Sequence, residues 1–76
     1  MAQHMQHRIP GYVEYVIRKY TQERTQAALD MDMETMTSWV WVKWQNHQFK
    51  IPCEKDDQIV DMEEIKSVIT QINLLK

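Results

Sequence analysis

The stretch TSWVWVKW, Thr37 to Trp44, decides between two folds for this chain. Its three tryptophans and two valines are residue types that favour the pleated surface of a β-strand. A strand would place both valines and Trp44 on one face, and Trp39 and Trp41 on the other. A helix would leave Trp41 and Val42 outside its apolar face. Local propensity therefore favours a strand, whereas the residues before this stretch fit a helix.

The run before it, YTQERTQAALDMDMETMTSW, matches the general spacing of a helix-turn-helix without a gap. Thr21 can cap a helix over residues 22–29, because its hydroxyl can accept a free backbone N–H of the first turn. Leu29 then precedes a turn over residues 30–32, and Asp32 can cap a further helix from Met33 to about Trp44. The leading prediction is a mainly α fold with a small β-hairpin, of the winged helix-turn-helix kind.

A second interpretation keeps Thr37–Trp44 as a strand. One long helix then runs from Tyr12 to about Leu29, and the chain is an α+β protein with a helix, a β-hairpin and a second helix. Both interpretations begin a helix at about Tyr12, with Val13, Val16, Ile17 and Tyr20 along one apolar stripe, and in the first interpretation this helix ends near Lys19 or Tyr20. They differ in whether residues 33–43 are helical or extended.

The flanking regions are read in the same way under both interpretations. Residues 1–11 are predicted to be a flexible leader that ends at the Pro10-Gly11 break, and residues 12–76 a single small domain. Short strands are predicted at 47–52 and 58–60, around a polar tip at 53–57. Asp61 is predicted to cap a final helix, Met62–Leu75, whose apolar residues recur every three or four positions.

Composition narrows the possible functions. No apolar run reaches the roughly 20 residues of a membrane helix, and the one cysteine, Cys53, excludes an internal disulfide. The single glycine excludes a phosphate loop, and no Cys/His group has zinc spacing. We therefore expect a cytoplasmic protein that is not an enzyme and that uses no cofactor or metal.

The net charge of −2 is uneven, with +1 over residues 1–50 and −3 over residues 51–76. A negative total disfavours strong nonspecific binding to DNA, because such proteins usually carry a basic face. The chain can still form a basic face locally, from Arg18, Lys19, Arg24, Lys43, Lys50 and Lys55.

The second half resembles the small winged helix-turn-helix excisionases of phages and integrating elements. The residues that carry the resemblance are Lys43-Trp44, His47-Gln48-Phe49, Ile51-Pro52, the tip Glu54–Asp57, Ile59-Val60 and Asp61–Ile65. The resemblance implies an architectural or regulatory protein that binds double-stranded DNA at recombination sites or promoters. It also implies an integrase or another protein as a possible partner, and a possible homo-oligomer.

The resemblance assigns DNA-binding roles to eight residues in particular. The major groove would be faced by Thr35, Thr37, Ser38, Trp41 and Lys43, and the minor-groove backbone by the wing residues Lys50 and Lys55. Arg24, together with Arg18 and Lys19, would contact phosphates. The alternative function is a dimerising protein-interaction module or an inhibitor that uses the tryptophan-rich strand face.

Overall fold

The fold is α+β, with two helices and an antiparallel sheet. The computed structural model describes residues 2–54 and 59–76, with the backbone alone for residues 2–8, 54 and 59. In chain order the elements are α1 (Ala2–Thr21), β1 (Gln26–Asp32), β2 (Thr37–Trp44), β3 (His47–Glu54), β4 (Ile59–Val60) and α2 (Met62–Leu75). The α+β class of the second interpretation is therefore confirmed.

The strands lie in the sheet in chain order, β1-β2-β3-β4, and each pairs antiparallel with the next. β2 is the central long strand. Its Trp41 lies between Ala28 of β1 and Lys50 of β3. Gln45 has a φ of 55°, which lets the two residues after Trp44 turn the chain directly into β3.

Both helices and one face of the sheet enclose a single core. The alternation along β2 turns Val40, Val42 and Trp44 inward, as expected for a strand with one buried face. The core residues are Ile9, Val13, Val16, Ile17, Val40, Val42, Trp44, Ile51, Ile65, Val68 and Ile72. The apolar stripes predicted for the two helices therefore pack on this face of the sheet.

The helix predicted from Met33 to about Trp44 is wrong. Residues 33–36 form a turn, and Thr37–Trp44 is strand β2. A strand can bury Val40, Val42 and Trp44 together under the two helices, whereas a helix would leave Val42 in solvent. The helix-turn-helix arrangement expected from the spacing of apolar residues is therefore not formed by these segments.

The helix over residues 22–29, common to both interpretations, is also wrong. Gln26–Asp32 is strand β1, and its exposure alternates along the chain. The apolar-polar alternation of Leu29, Asp30, Met31 and Asp32 is a strand signal. It outweighs the helix propensity of Ala27 and Ala28, because the strand pairs with β2 along its whole length.

Helix α1 begins earlier than predicted, and it ends at Thr21, close to the end near Lys19 or Tyr20 in the first interpretation. Its backbone is helical from Ala2 rather than from Tyr12, and Pro10 lies inside it, so the expected break is absent. Thr21 is the last residue of α1 and not the cap of a new helix. Its hydroxyl donates to the carbonyl of Ile17 at 2.7 Å and accepts from the backbone N–H of Glu23 at 3.0 Å. The flexibility predicted for residues 1–11 stays a prediction.

The last third of the chain follows the sequence closely. The strands predicted at 47–52 and 58–60 correspond to β3 and β4, and α2 spans the predicted residues. Asp61 caps α2, accepting from the backbone N–H of Glu63 at 3.0 Å. Residues 53 and 54 of the predicted tip belong to β3, whereas residues 55–57 of the tip and residue 58 of the predicted strand lie outside the described residues.

Candidate binding face of the sheet

The face of the sheet that turns away from the helices is the candidate site. Its residues alternate with the core residues along the three long strands, and we call it the tryptophan face. It consists of Gln26, Ala28, Asp30, Thr37, Trp39, Trp41, Lys43, Gln48, Lys50 and Pro52. The two described helices pack on the other face, so Trp41 lies at an open surface beside the partly buried Trp39.

Two indole rings and one ammonium group form the centre of the tryptophan face. The rings of Trp39 and Trp41 meet edge to face, with centroids 6.5 Å apart and planes at 90°. The Nζ of Lys50 lies 4.3 Å from the ring centre of Trp39 and 5.9 Å from that of Trp41. These contacts hold the pair in place, since cation–π and edge-to-face contacts each stabilise by about 0.5–1.5 kcal/mol. Trp41 keeps 36% of its surface exposed.

Charge is separated along the length of the tryptophan face. Lys43 lies opposite Gln26 at one end, whereas Asp32 lies opposite Thr37 at the other. These ends are six residue steps apart along the strand, a distance of about 20 Å. The face is therefore basic at the end where β1 begins and acidic at the end where β1 enters its turn.

The basic end continues around the edge of the sheet toward α1. Lys43 and Arg24 line one shallow hollow, and Arg24, Lys19 and Arg18 line the next. We call Arg18, Lys19, Arg24, Lys43 and Lys50 the basic arc. Among the described residues none of the five forms an ion pair with a carboxylate, and the one such pair joins Lys66 to Glu63 on α2. The arc therefore presents unneutralised positive charge beside the tryptophans.

Four of the eight residues predicted to bind DNA come together here. Trp41, Lys43 and Lys50 lie on the tryptophan face, and Arg24 adjoins Lys43. These four meet on a sheet and not on a recognition helix, because the segment expected to be helical is β2.

Three of the other four lie away from this cluster, although Thr37 belongs to the far end of the tryptophan face. Thr35 and Thr37 lie at the acidic end, where their hydroxyl oxygens are 2.7 Å apart. Lys55 lies outside the described residues.

Ser38 is misplaced by the prediction of a groove-facing helix. It lies on the inner side of β2, opposite Met31, with 4% of its surface exposed. Thr37 and Ser38 point to opposite faces, because successive side chains of a strand alternate. Ser38 therefore belongs to the core side and not to a binding surface.

The buried hydroxyl of Ser38 gives a stability prediction. Its Oγ has no hydrogen-bond partner among the described residues, and an unsatisfied buried group costs roughly 1–3 kcal/mol. Ser38→Ala should raise the free energy of unfolding by about 1 kcal/mol in urea denaturation. Ser38→Asp should lower it by several kcal/mol, because a carboxylate would be buried unpaired. A destabilised Ser38→Ala variant would contradict the inward orientation of this side chain.

The free edge of β1 is partly blocked by carboxylates. The backbone N–H of Ala27 donates to Oε2 of Glu14 at 2.6 Å, and that of Met31 donates to the Asp30 carboxylate at 2.8 Å. An edge strand whose N–H groups are occupied is a poor template for adding another strand. This edge is therefore less suited to pairing with a further strand than an edge with all its N–H groups free.

Trp39 and Pro52 complete the face and were not among the predicted site residues. The alternation of TSWVWVKW placed Trp39 beside Trp41 under the strand interpretation, so a signal for Trp39 was present. Pro52 lies opposite Trp39 through the pairing of β2 with β3. No local signal reveals this neighbour, since cross-strand register is set by the turn and the core.

Comparison with known protein families, with curated proteins and with solved structures finds no match to this chain. Within residues 2–54 and 59–76, no group of three or more His, Cys, Asp or Glu residues is arranged to hold a metal ion. Neither helix combines the length and apolar character needed to cross a membrane. The functional argument therefore rests on the geometry of the tryptophan face and the basic arc.

Proposed function

We propose that the protein binds nucleic acid on the tryptophan face, with single strands preferred over duplex. The observation that supports this best is the continuity of the basic arc with the exposed ring of Trp41. Proteins that bind single strands combine a positive path for the backbone with aromatic rings on which bases stack. Lys43 and Lys50 would contact phosphates on either side of a base stacked on Trp41.

The preference for single strands follows from the shape of the surface. The major groove is about 12 Å wide and admits a helix or a two-stranded ribbon, whereas three strands and their side chains are broader. In a duplex the faces of the bases are stacked on each other and are closed to an indole ring. In a single strand these faces are available, which is how sheet platforms read RNA and single-stranded DNA.

The net charge of −2 is compatible with this proposal because the charges are segregated. Glu63 and Glu64 lie at the start of α2, and Asp61 caps that helix. Glu14 is the single carboxylate in a hollow lined by three cations, so this lining still carries a net charge of +2. A polyanion approaching the basic arc is thus attracted locally, even though the total charge is negative.

A fluorescence-anisotropy titration tests the proposal. Labelled oligothymidine of about 12 nucleotides, the matching duplex and single-stranded RNA would be compared between about 50 and 200 mM salt. We expect saturable binding to the single strands. The logarithm of the binding constant should fall with the logarithm of salt concentration with a slope of about −2 to −3.5, for three to five phosphate contacts. Absence of binding at the lowest salt would overturn the proposal, and tighter binding to duplex would restore double-stranded DNA as the partner.

A second candidate is a protein-interaction module that uses the same face. The specific observation in its favour is an apolar centre of Trp39, Trp41 and Pro52 inside a polar rim, the arrangement of many protein interfaces. Tryptophan is frequently the energetic anchor of such a surface. Sedimentation velocity across a concentration series tests self-association. A dimer that Trp41→Ala dissociates would support this candidate over nucleic-acid binding.

The role expected for an excisionase, at recombination sites or promoters, stays a prediction. It was tied to a recognition helix, and the residues assigned to that helix form a turn and strand β2. An integrase partner belongs to the same prediction.

A further inference from the structure

A notch between α1 and the start of β1 lies just outside the tryptophan face. It is an open hollow of about 700 Å³, lined by Gly11, Glu14, Tyr15, Arg18, Lys19, Arg24 and Thr25. Three of these residues are cationic and one is anionic. The lining therefore carries a net charge of +2, in a chain whose total is −2.

Hydrogen bonds on both sides fix the shape of the notch. Gln22 has a φ of 65°, and its backbone N–H donates to the carbonyl of Arg18 at 2.9 Å, which closes α1 and turns the chain toward β1. On the other side, the carboxylate of Glu14 accepts the backbone N–H of Ala27 at 2.6 Å. These bonds fix the backbone on both sides of the hollow that Arg18 and Arg24 line.

The negative end of the α1 dipole is offset by α2. The side chain of Lys76 donates to the carbonyl of Thr21, and that of Asn73 donates to the carbonyl of Tyr20 at 3.4 Å. A cation at a helix C-terminus lowers the negative potential there. An anion that binds Arg18 and Lys19 in the notch is therefore repelled less by the C-terminus of α1.

Thr25 supplies an unused hydrogen-bonding group in the same lining. Its Oγ1 is buried and has no hydrogen-bond partner among the described residues. Buried hydroxyl groups are normally paired, so this hydroxyl is available to a ligand or to a water molecule. The hydroxyl can donate to an anionic oxygen, as arginine and lysine do.

We infer that this notch binds a phosphate group. Arg18 and Arg24 offer forked guanidinium donors, Lys19 a single charge and Thr25 a hydroxyl, a donor set suited to the several oxygens of phosphate. Glu14 does not neutralise the notch, because three cations face one carboxylate that already accepts from a backbone amide. The inference rests on the proposed function only for the source of the phosphate, which is a nucleic-acid strand or a free phosphorylated small molecule.

Amide chemical shifts of the ¹⁵N-labelled full chain test the inference. Sodium phosphate would be titrated against sodium chloride at matched ionic strength, so that general screening is subtracted. We expect saturable shifts at Arg18, Arg24 and Thr25. Arg24→Gln should weaken phosphate binding by about tenfold or more, the scale of one charged hydrogen bond. Thr25→Val should weaken it less, while keeping the shape of the side chain.

Lys66→Gln is the matched control, since it removes one positive charge from an exposed pair on α2. Equal shifts in phosphate and chloride, or equal affinity of Arg24→Gln and the unaltered chain, would overturn the inference. Titrations with thymidine monophosphate and with oligothymidine distinguish a free phosphorylated small molecule from a nucleic-acid strand as the source of the phosphate. Phosphate binding without oligonucleotide binding would support the notch as a phosphate site and would contradict the proposed binding of nucleic acid. Oligonucleotide binding without phosphate binding would support the proposed function and would overturn the phosphate site in the notch.

Discussion

Trp44→Ala should lower the free energy of unfolding by about 3–5 kcal/mol, the usual cost of truncating a large buried aromatic side chain. Trp44 is 2% exposed and lies in the core beneath the helices. Its Nε1 donates to Oε1 of Glu23 at 3.0 Å, and its ring stacks on His47 with centroids 5.5 Å apart. A chain of this size is stable by only about 4–11 kcal/mol in total. The variant should therefore lose from about a quarter to all of its stability at room temperature.

Urea denaturation followed by far-ultraviolet circular dichroism measures this effect. Trp44→Phe keeps most of the ring and loses the N–H donor, so it should cost clearly less than Trp44→Ala. Glu23→Gln keeps an acceptor oxygen for the indole and should cost less again. A loss below about 1 kcal/mol for Trp44→Ala would mean that this side chain is not part of the core.

Trp41→Ala should weaken binding of oligothymidine by about 5- to 150-fold, because each base stacked on an aromatic ring contributes about 1–3 kcal/mol. Trp41 is the more open of the two tryptophans on the face, and Lys43 and Lys50 lie on either side of it. The variant should remain folded, since the side chain lies outside the core. Its salt dependence should be nearly unchanged, because no phosphate contact is removed.

Two variants serve as controls in the same anisotropy titration. Trp41→Phe retains a ring for stacking and should keep most of the affinity. Leu74→Ala removes an apolar side chain that is 79% exposed on α2, far from the face, and should bind like the unaltered chain. If Trp41→Ala and Leu74→Ala bound equally well, stacking on Trp41 would play no part in recognition.

The helices were predictable where local and tertiary signals agree. In α2, an N-cap aspartate and an apolar repeat of three or four residues specify both the start of the helix and its buried side. The apolar residues of α1, Val13, Val16 and Ile17, were identified for the same reason. Its start was missed because Pro10-Gly11 was read as a break, although the backbone is helical on both sides of the pair.

The segment from Gln22 to Trp44 was harder because two periodicities overlap in it. The spacing of Leu29, Met31, Met36 and Trp39 fits a helix-turn-helix, and the alanines at 27 and 28 have high helix propensity. Yet β1 and β2 satisfy each other's backbone groups over seven residue pairs and bury Val40 and Val42 together. Pairing and burial are tertiary terms, which override weak local preference.

The candidate site, too, was predictable from local sequence signals only in part, and tertiary structure decided the rest. The residue types of the basic arc were recognisable from the sequence, and the alternation of Thr37–Trp44 indicated which tryptophans share a face. That Arg24 lies beside Lys43, and Lys50 beside Trp41, depends on strand register and on the turn after α1.

The sequence by itself determined the length of α2, the strands after Trp44, the apolar stripes of both helices and the uneven charge. The helix and strand features follow from periodicity and capping within a few neighbouring residues, and the uneven charge follows from composition alone. Only the tertiary structure decided that residues 26–44 form a hairpin, that Ser38 is buried, and that three cations and Thr25 line one notch between α1 and β1. Those outcomes depend on which distant segments pair and on which side of the sheet the helices pack, and both are set by the burial of one shared core.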